Sequence, residues 1–488
     1  MCVKVDRVNA REQASGRSAR HVIVIGGGVS GLAAAWFLRQ HPNPPQVTVL
    51  EAGAEVGGKL RAGDLGGYAV DAGAESMLAR RPEAIDLARA VGLGEALEQP
   101  ATSAARLMVD GELRAFPSGT VLGVPGDMRA LAASRVLTRR GLARALSERA
   151  LPASASDADI AVGRYVTARM GHEVTDRLVE PLLGGVYAGH ANDLSLQAVL
   201  PAVAAARSRG ERLTPATAGI RSASGGTADG SAPFVGIAGG LFTLAQRLAA
   251  TPAVRVRTGT IARSLNRSSG GWQVVVGPVP APERLTADAV VLAVPAGPAA
   301  RLVREVAPRA AALLDVVDYA SVGLVALGYR RGAVTGSALQ GSGHLVPPAE
   351  GRAVKAVTYS SRKWRWVDSA MPDLSLVRMS IGRYAEPGDL QRDDADLVRL
   401  ASEDAADVLG LPRPVAAAVF RWGGSLPQYT VGHVGRATRV HELVAEQSGL
   451  AVAGAALDGV GIPACIASAR RAAEQVLQAR TDDATMGV

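Results

Sequence analysis

HVIVIGGGVSGLAAAWFLRQ, residues 21–40, decides the fold. Its first five residues are mostly β-branched and apolar, a run of glycines follows, and an alanine-rich stretch completes it. That order predicts a buried strand, a tight turn and a helix packed back on the strand. QVTVLEA, residues 46–52, predicts a second strand, so the segment forms one βαβ unit. Pro42, Pro44 and Pro45 stop the helix and force the loop between. The run Gly26-Gly27-Gly28-Val29-Ser30-Gly31 is GxGxxG in the place where it carries meaning. Gly26 allows the turn, Gly28 lets backbone approach a pyrophosphate, and Gly31 lets helix and strand pack closely. The helix start offers unpaired N–H groups and its positive dipole end to phosphates. Glu51 ends the second strand with Ala52 beside it, where a carboxylate accepts hydrogen bonds from a ribose diol. A dinucleotide site follows.

The whole chain fits such a protein. Its 488 residues are 48% hydrophobic and 20% charged, which excludes a disordered or collagen-like chain, and 56 are glycine. Net charge is +8, and four lysines (Lys4, Lys59, Lys355 and Lys363) stand against 49 arginines. Two readings hold together: a compositional bias shared with the alanine excess, and a surface or pocket that receives carboxylates, phosphates or anionic lipid. Cys2 and Cys465 make no disulfide framework, and no Cys/His spacing or HExxH predicts a metal. The first twenty residues lack an apolar core and no run of eighteen apolar residues occurs, so a cytoplasmic protein is expected, with no nucleic-acid partner. The segment 127–150 predicts a basic amphipathic helix or helix pair. It reads either as a solvated arginine face or as a peripheral contact with the inner face of a membrane.

Further motifs resemble a known family. Gly57-Gly58-Lys59-x-Arg61 resembles the second motif of the large flavoprotein family of amine oxidases and related desaturases, which runs along the FAD pyrophosphate. Most members carry arginine where this chain has Lys59, which keeps the charge and loses the bidentate fork. LAVAGAALDGVGIPACIASARRAAE, residues 450–474, resembles the strand–glycine–helix that closes the flavin site. Relatives often have Gly-Asp at Gly454-Ala455, whereas here an acid comes three positions later, at Asp458. The helix after Pro463 is expected to offer its N-terminus to the flavin ring edge.

Four blocks narrow the resemblance to the porphyrinogen-oxidising branch, the bacterial coproporphyrinogen III oxidases and the protoporphyrinogen oxidases. DAGAESMLARRP (71–82) resembles DxGPESFLxRKP, with Ala74 where proline is usual. EPLLGGVYAG (180–189) resembles EPLxGGVYAG. RWGGSLPQY (421–429), followed by Gly432-His433, resembles RWxxxMPQYxxGH, and LDGVGIP (457–463) resembles the C-terminal loop. The resemblance implies an α/β (α+β) chain, a Rossmann-like FAD-binding domain with an inserted mixed-sheet substrate domain and a helical subdomain. The expected division is FAD-binding parts at 21–92, 234–305 and 428–480, substrate parts at 93–116 and 306–427, and a helical subdomain at 117–206. A flexible excursion is expected at 207–233, with tails at 1–20 and 481–488. Beyond the glycines, Glu51, Ala52, Gly58 and Lys59, the resemblance implies flavin contacts from Gly73, Ala74, Glu75, Ser76, Trp422, Val460, Gly461 and Ile462, and adenine contact from the Ile261 backbone.

The implied activity is oxidation of coproporphyrinogen III to coproporphyrin III in haem biosynthesis, by loss of six electrons and six protons to non-covalent FAD. The flavin is reoxidised by O2 to hydrogen peroxide, and the cofactor carries the hard step. No catalytic side chain is therefore expected, and no Ser/His/Asp or paired-carboxylate constellation is found. Arg81, Tyr187 and Arg378 are the candidates for holding the substrate, the arginines for its propionates. Cys465 is expected to be a packed residue. The alternatives carried alongside are protoporphyrinogen IX as substrate, another amine oxidase or desaturase of the same flavin fold, and a flavin-binding protein without catalysis.

Overall fold

The computed structural model describes residues 20–153, 155–223, 233–334 and 338–478. Cys2 and the expected tail 481–488 lie outside them, as does all but Arg20 of the tail 1–20.

Strand β1 (His21–Ile25), helix α1 (Val29–Arg39) and strand β2 (Gln46–Leu50) form the expected βαβ unit. A five-stranded parallel sheet grows around it in the order Val254–Arg257, β2, β1, Ala289–Leu292, Leu450–Val452. Three distant parts of the chain therefore supply one sheet. Val22, Ile23 and Val24 of β1 are completely buried, as strands covered on both faces require. One face packs on α1 and the C-terminal helix Ile462–Gln478. The other face carries the antiparallel meander 262–287 and the helices Ala296–Val303 and Pro308–Asp315.

A second, seven-stranded sheet runs Ala416–Pro427, Tyr319–Arg330, Leu374–Ile381, Val354–Thr358, Gly343–Leu345, Ala105–Val109, Glu112–Ala115. All its pairs are antiparallel except Gly343–Leu345 with Ala105–Val109. Helix Asp394–Leu409 covers one face. The Asp393 side chain caps it by accepting from the Asp396 amide at 2.8 Å, and Gly410 ends it with φ +65°. The other face lies toward loops that follow the first sheet: the Phe420 ring stands 2.4 Å from where a Cβ on Gly63 would be, and Arg378 bonds Glu75 at 2.7 Å.

A helical region over 128–223 packs its own core beside this sheet. The basic segment is a pair of helices, Met128–Ser134 and Arg139–Leu146, capped by the Asp127 and Thr138 side chains. Arg139, Arg140, Arg149 and Leu146 face solvent, while Arg144 donates to the carbonyls of Ala168 and Arg169. Among the described residues no helix is long and apolar enough to cross a membrane.

The excursion expected at 207–233 differs from this. Its first part completes helix Pro201–Ser208 and forms helix Leu213–Ala223, and residues 224–232 lie outside the described residues. Small polar residues carry no order of their own, but here tertiary contacts supply it. The completely buried Glu148 accepts from the Leu213 amide at 2.9 Å and pairs with Arg169 at 2.5 Å. One otherwise orphaned N–H of the helix start is thereby satisfied, and Leu213, Thr214, Ala216 and Thr217 are buried.

Candidate functional site

The glycine turn is built so that backbone meets backbone. Gly26 has φ +110°, and a Cβ on Gly31 would stand 1.8 Å from the Gly26 carbonyl oxygen. Gly57 donates to the Gly27 carbonyl at 2.7 Å, and a Cβ on Gly58 would lie 3.3 Å from the Gly28 Cα, so the two glycine motifs touch. At Gly28 the opposite holds: a Cβ there would meet nothing within 4 Å. Gly28 is the N-cap of α1, which has no side-chain cap and no acid in its first turn. An uncapped helix start and an open approach together fit a pyrophosphate.

Glu51 accepts from the Gly27 and Gly53 amides, each at 2.7 Å, which fixes its carboxylate beside the turn. The Thr260 amide donates to the Glu51 carbonyl at 2.8 Å and so brings Ile261, 46% exposed, to the same end. Ala52 is exposed there. Lys59 is solvent-exposed, but the protein crowded around it holds its ammonium below the ordinary value.

The next wall is the loop 72–76. Ala74 donates to the Lys59 carbonyl at 3.2 Å, and Gly73 lies so close that a Cβ would meet that oxygen at 2.2 Å. The Trp422 indole donates to the Ala72 carbonyl at 2.8 Å, with the Arg61 guanidinium 5.0 Å over its ring. Glu75 is clamped by Ser360 at 2.8 Å, Lys363 at 2.9 Å, Trp364 Nε1 at 3.2 Å and Arg378 at 2.7 Å. Burial acts to raise its carboxyl, but Lys363 and Arg378 outweigh burial and hold it well below the usual range. The neighbouring Asp71 is pushed up to about 7 by burial, against the pull of Arg378 and of the Leu241 and Phe242 amides it accepts from. Ser76 stands 3.5 Å from Lys363 Nζ.

The C-terminal segment packs against the same glycine turn. Gly454 turns with φ +117°, and a Cβ there would lie 3.3 Å from Ser30 Oγ. Tyr429 ties the loop by donating to the Ala455 carbonyl at 2.5 Å and accepting from the Gly459 amide at 2.9 Å. Val460 and Gly461 stay partly open while Ile462 is buried at the helix start. Asp458 is taken up by His441 and Arg471, each at 3.0 Å, and by Ser468, so it braces the loop. The Cys465 thiol is buried next to Ser30, and burial pushes it up.

The three expected substrate contacts have different surroundings. Arg81 is the N-cap of helix Pro82–Ala90, 41% exposed and bonded to Glu83 at 2.5 Å. Tyr187 is buried against Tyr429, ring centroids 5.7 Å apart, and burial pushes its hydroxyl up to about 12. Arg378 differs from the expectation of a propionate ligand. It is 7% exposed, and its guanidinium is committed to Glu75 and the Gly73 carbonyl, because a buried carboxylate next to it outcompetes a mobile one. Lys363, Ser360 and Trp364, not singled out in the sequence, complete that clamp. Among the described residues no cluster of His, Cys, Asp and Glu suits a metal ion.

A second polar cluster links the helical region to the seven-stranded sheet. His190 bonds Glu180 at 2.9 Å and the Tyr384 carbonyl at 3.0 Å, with Glu386 at 3.5 Å. The bond to Glu180 raises its imidazole to about 9 despite the opposing effect of burial. A raised folded value stabilises fully below the unfolded value of ~6.5 and is lost as pH climbs through about 9. The melting temperature is therefore expected to fall between pH 6.5 and 9.5 by the equivalent of ~1–2 kcal/mol more than in His190→Gln. Parallel melting profiles for the two proteins would disprove the assignment.

With this geometry described, the relatives are informative. Residues 29–477 match the family model for flavin containing amine oxidoreductases. The chain belongs to that family, an FAD-dependent oxidoreductase of mixed α/β fold. It is 37% identical over 476 residues to the coproporphyrinogen III oxidase of Mycobacterium tuberculosis, covering 94% of this chain and 98% of that one. It is 30% identical over 468 residues to the coproporphyrinogen III oxidase of Bacillus subtilis, at the same coverage. The protoporphyrinogen oxidase of Bos taurus is 30% identical over 497 residues, again covering 94% and 98%. A crystal structure from Exiguobacterium sp., named provisionally as a protoporphyrinogen oxidase, superposes with TM-score 0.82 at 28% identity over 94% of this chain and 99% of that one.

Proposed function

We propose that this protein oxidises coproporphyrinogen III to coproporphyrin III, with non-covalent FAD as the redox group and O2 as the acceptor that yields hydrogen peroxide. The observation that carries the reading is the end-to-end match to bacterial coproporphyrinogen III oxidases. When bound, the flavin supplies the two-electron oxidation, taken three times per macrocycle. The chain's own residues bind, orient and exclude water. The amides at Gly28, Val29 and Ser30, with Lys59, would hold the pyrophosphate, and Glu51 the ribose. Trp422 and the Gly73 loop form one wall of the flavin cleft. Helix Glu180–Tyr187 presents an open, small-residue face that would accommodate a flat ring. At Gly184 a Cβ would meet nothing within 4 Å, at Gly185 only the Leu345 side chain at 3.5 Å, and Val186 is 43% exposed. Cys465 supports the non-covalent reading: its thiol is buried, lies 3.6 Å from the Gly459 carbonyl, and burial pushes it up.

Aerobic incubation with coproporphyrinogen III is expected to produce porphyrin fluorescence and one peroxide per two electrons removed. Acid precipitation is expected to leave FAD in the supernatant. Protoporphyrinogen IX turned over with the higher kcat/KM would make it the substrate instead, and no turnover of either porphyrinogen would end the proposal.

A further inference from the structure

Three buried or half-buried cations face a carboxylate: Arg378 has Glu75, Arg169 has Glu148, and Arg352 has Asp404. Lys355 and Arg383 differ. Lys355 sits at the bulge between Val354 and Ala356 on the substrate sheet, is 3% exposed, and donates to the Gly382 carbonyl at 2.5 Å. Arg383 follows Gly382 and makes two long bonds, to the carbonyls of Arg352 at 3.2 Å and Val346 at 3.4 Å. Among the described residues neither forms an ion pair. Glu386, Glu180 and Asp389 act on Arg383 from a distance, but Glu180 is held by His190 and Ala191, Glu386 lies by His190, and Asp389 is bonded to Arg392.

Two adjacent, partly desolvated positive charges without a counter-ion are costly to keep. The cost shows in the groups themselves. Burial and then the Arg383 charge push the Lys355 ammonium down to about 7, and burial lowers Arg383. Arg383 also lines a cavity of about 430 Å³ with Tyr319, Val322, Tyr384 and Trp422. Trp422 is the residue whose indole bonds Ala72 in the flavin wall. The cavity thus runs from Trp422 to Arg383, whose guanidinium bonds the Arg352 and Val346 carbonyls and, among the described residues, no carboxylate.

We propose that Arg383, with Lys355 behind it, is the binding site for a carboxylate of the substrate that enters this cavity. The proposal rests on the porphyrinogen reading and adds to it a cation that fixes one propionate. An incoming carboxylate would supply the missing counter-charge, and the planar fork of Arg383 suits it.

The test uses the flavin-loaded enzyme and Arg383→Gln, Arg383→Lys and Lys355→Met, with flavin absorbance and melting temperature as fold controls. In Arg383→Gln the KM for coproporphyrinogen III is expected to rise ~10-fold with kcat within ~2-fold, and Arg383→Lys to recover part of it. Binding of coproporphyrin III and of its tetramethyl ester, read by porphyrin fluorescence, needs no turnover. The acid is expected to weaken ~10-fold in Arg383→Gln and more mildly in Lys355→Met, while the ester stays unchanged. Equal acid binding in wild type and Arg383→Gln, with flavin intact, overturns the carboxylate site. A wild type that binds the acid through Arg383 yet turns over no porphyrinogen overturns only the proposed reaction.

Discussion

Gly28→Ala is expected to give a protein that folds and does not keep its flavin. Gly28 has φ −73° and ψ 178°, a conformation alanine adopts freely, and its Cβ would meet no protein atom within 4 Å. The added methyl enters only the space above the uncapped amides of α1, where the pyrophosphate must come within hydrogen-bond distance. The ratio of absorbance at the flavin band to that of protein is expected to fall at least ~10-fold on purification, which is ~1.4 kcal/mol or more of lost binding. Its melting temperature should equal that of wild-type protein stripped of flavin, because ligand loss alone lowers the melting point. Gly31→Ala makes the contrast. Its Cβ would stand 1.8 Å from the Gly26 carbonyl oxygen and 3.3 Å from the Ala293 side chain, and backbone cannot yield as a side-chain tip can. That variant is expected to lose ~3 kcal/mol or more of stability together with the flavin. A yellow Gly28→Ala with the wild-type absorbance ratio would remove the cofactor from this turn.

The contrast also marks what can be read from a sequence. The glycine turn is local: strand, turn, helix and Glu51 lie within thirty-one residues, and each glycine answers to a neighbour a few positions away. The same holds for the helix Asp394–Leu409, whose cap and closing glycine stand at its own ends. Glu75 is the opposite case. Its motif was legible, but its partners Ser360, Lys363, Trp364 and Arg378 lie 285 to 303 residues further on, where no local pattern announces them. Arg378 reads in isolation as a free cation on a strand, and only the fold reveals the carboxylate opposite. Asp458 misleads in the same way, since its place in the loop suggests the cofactor while His441, Arg471 and Ser468 hold it. Helix Leu213–Ala223 escaped notice because alanine, threonine and serine carry little apolar period. The buried Glu148 that anchors its start is 65 residues upstream.

The Glu75 clamp carries the other large effect. Glu75 is 12% exposed, and its two cations, Lys363 and Arg378, are 13% and 7% exposed. Removing the carboxylate leaves two positive charges in a desolvated place, the situation that costs ~3–5 kcal/mol when one partner of a buried pair is lost. Glu75→Gln keeps the shape and loses the charge, so a fall in melting temperature of several degrees is expected from electrostatics alone. The loop it holds also carries Gly73, whose carbonyl accepts from Arg378, so flavin occupancy is expected to fall with stability. The pH sign is fixed. The folded carboxyl is held low by Lys363 and Arg378 against burial, so its contribution is present above the unfolded value of ~4.5 and is lost as pH drops through the folded one. The gap between wild type and Glu75→Gln should accordingly be full at neutral pH and narrow only in strong acid. Replacing both cations in the same protein, Glu75→Gln with Lys363→Met and Arg378→Met, should recover part of the loss, because no buried charge is then left unpaired. An Arg378→Met variant that melts like wild type and raises the KM for porphyrinogens would reverse the assignment, since the guanidinium would then act on the substrate while Glu75 stood without need of it.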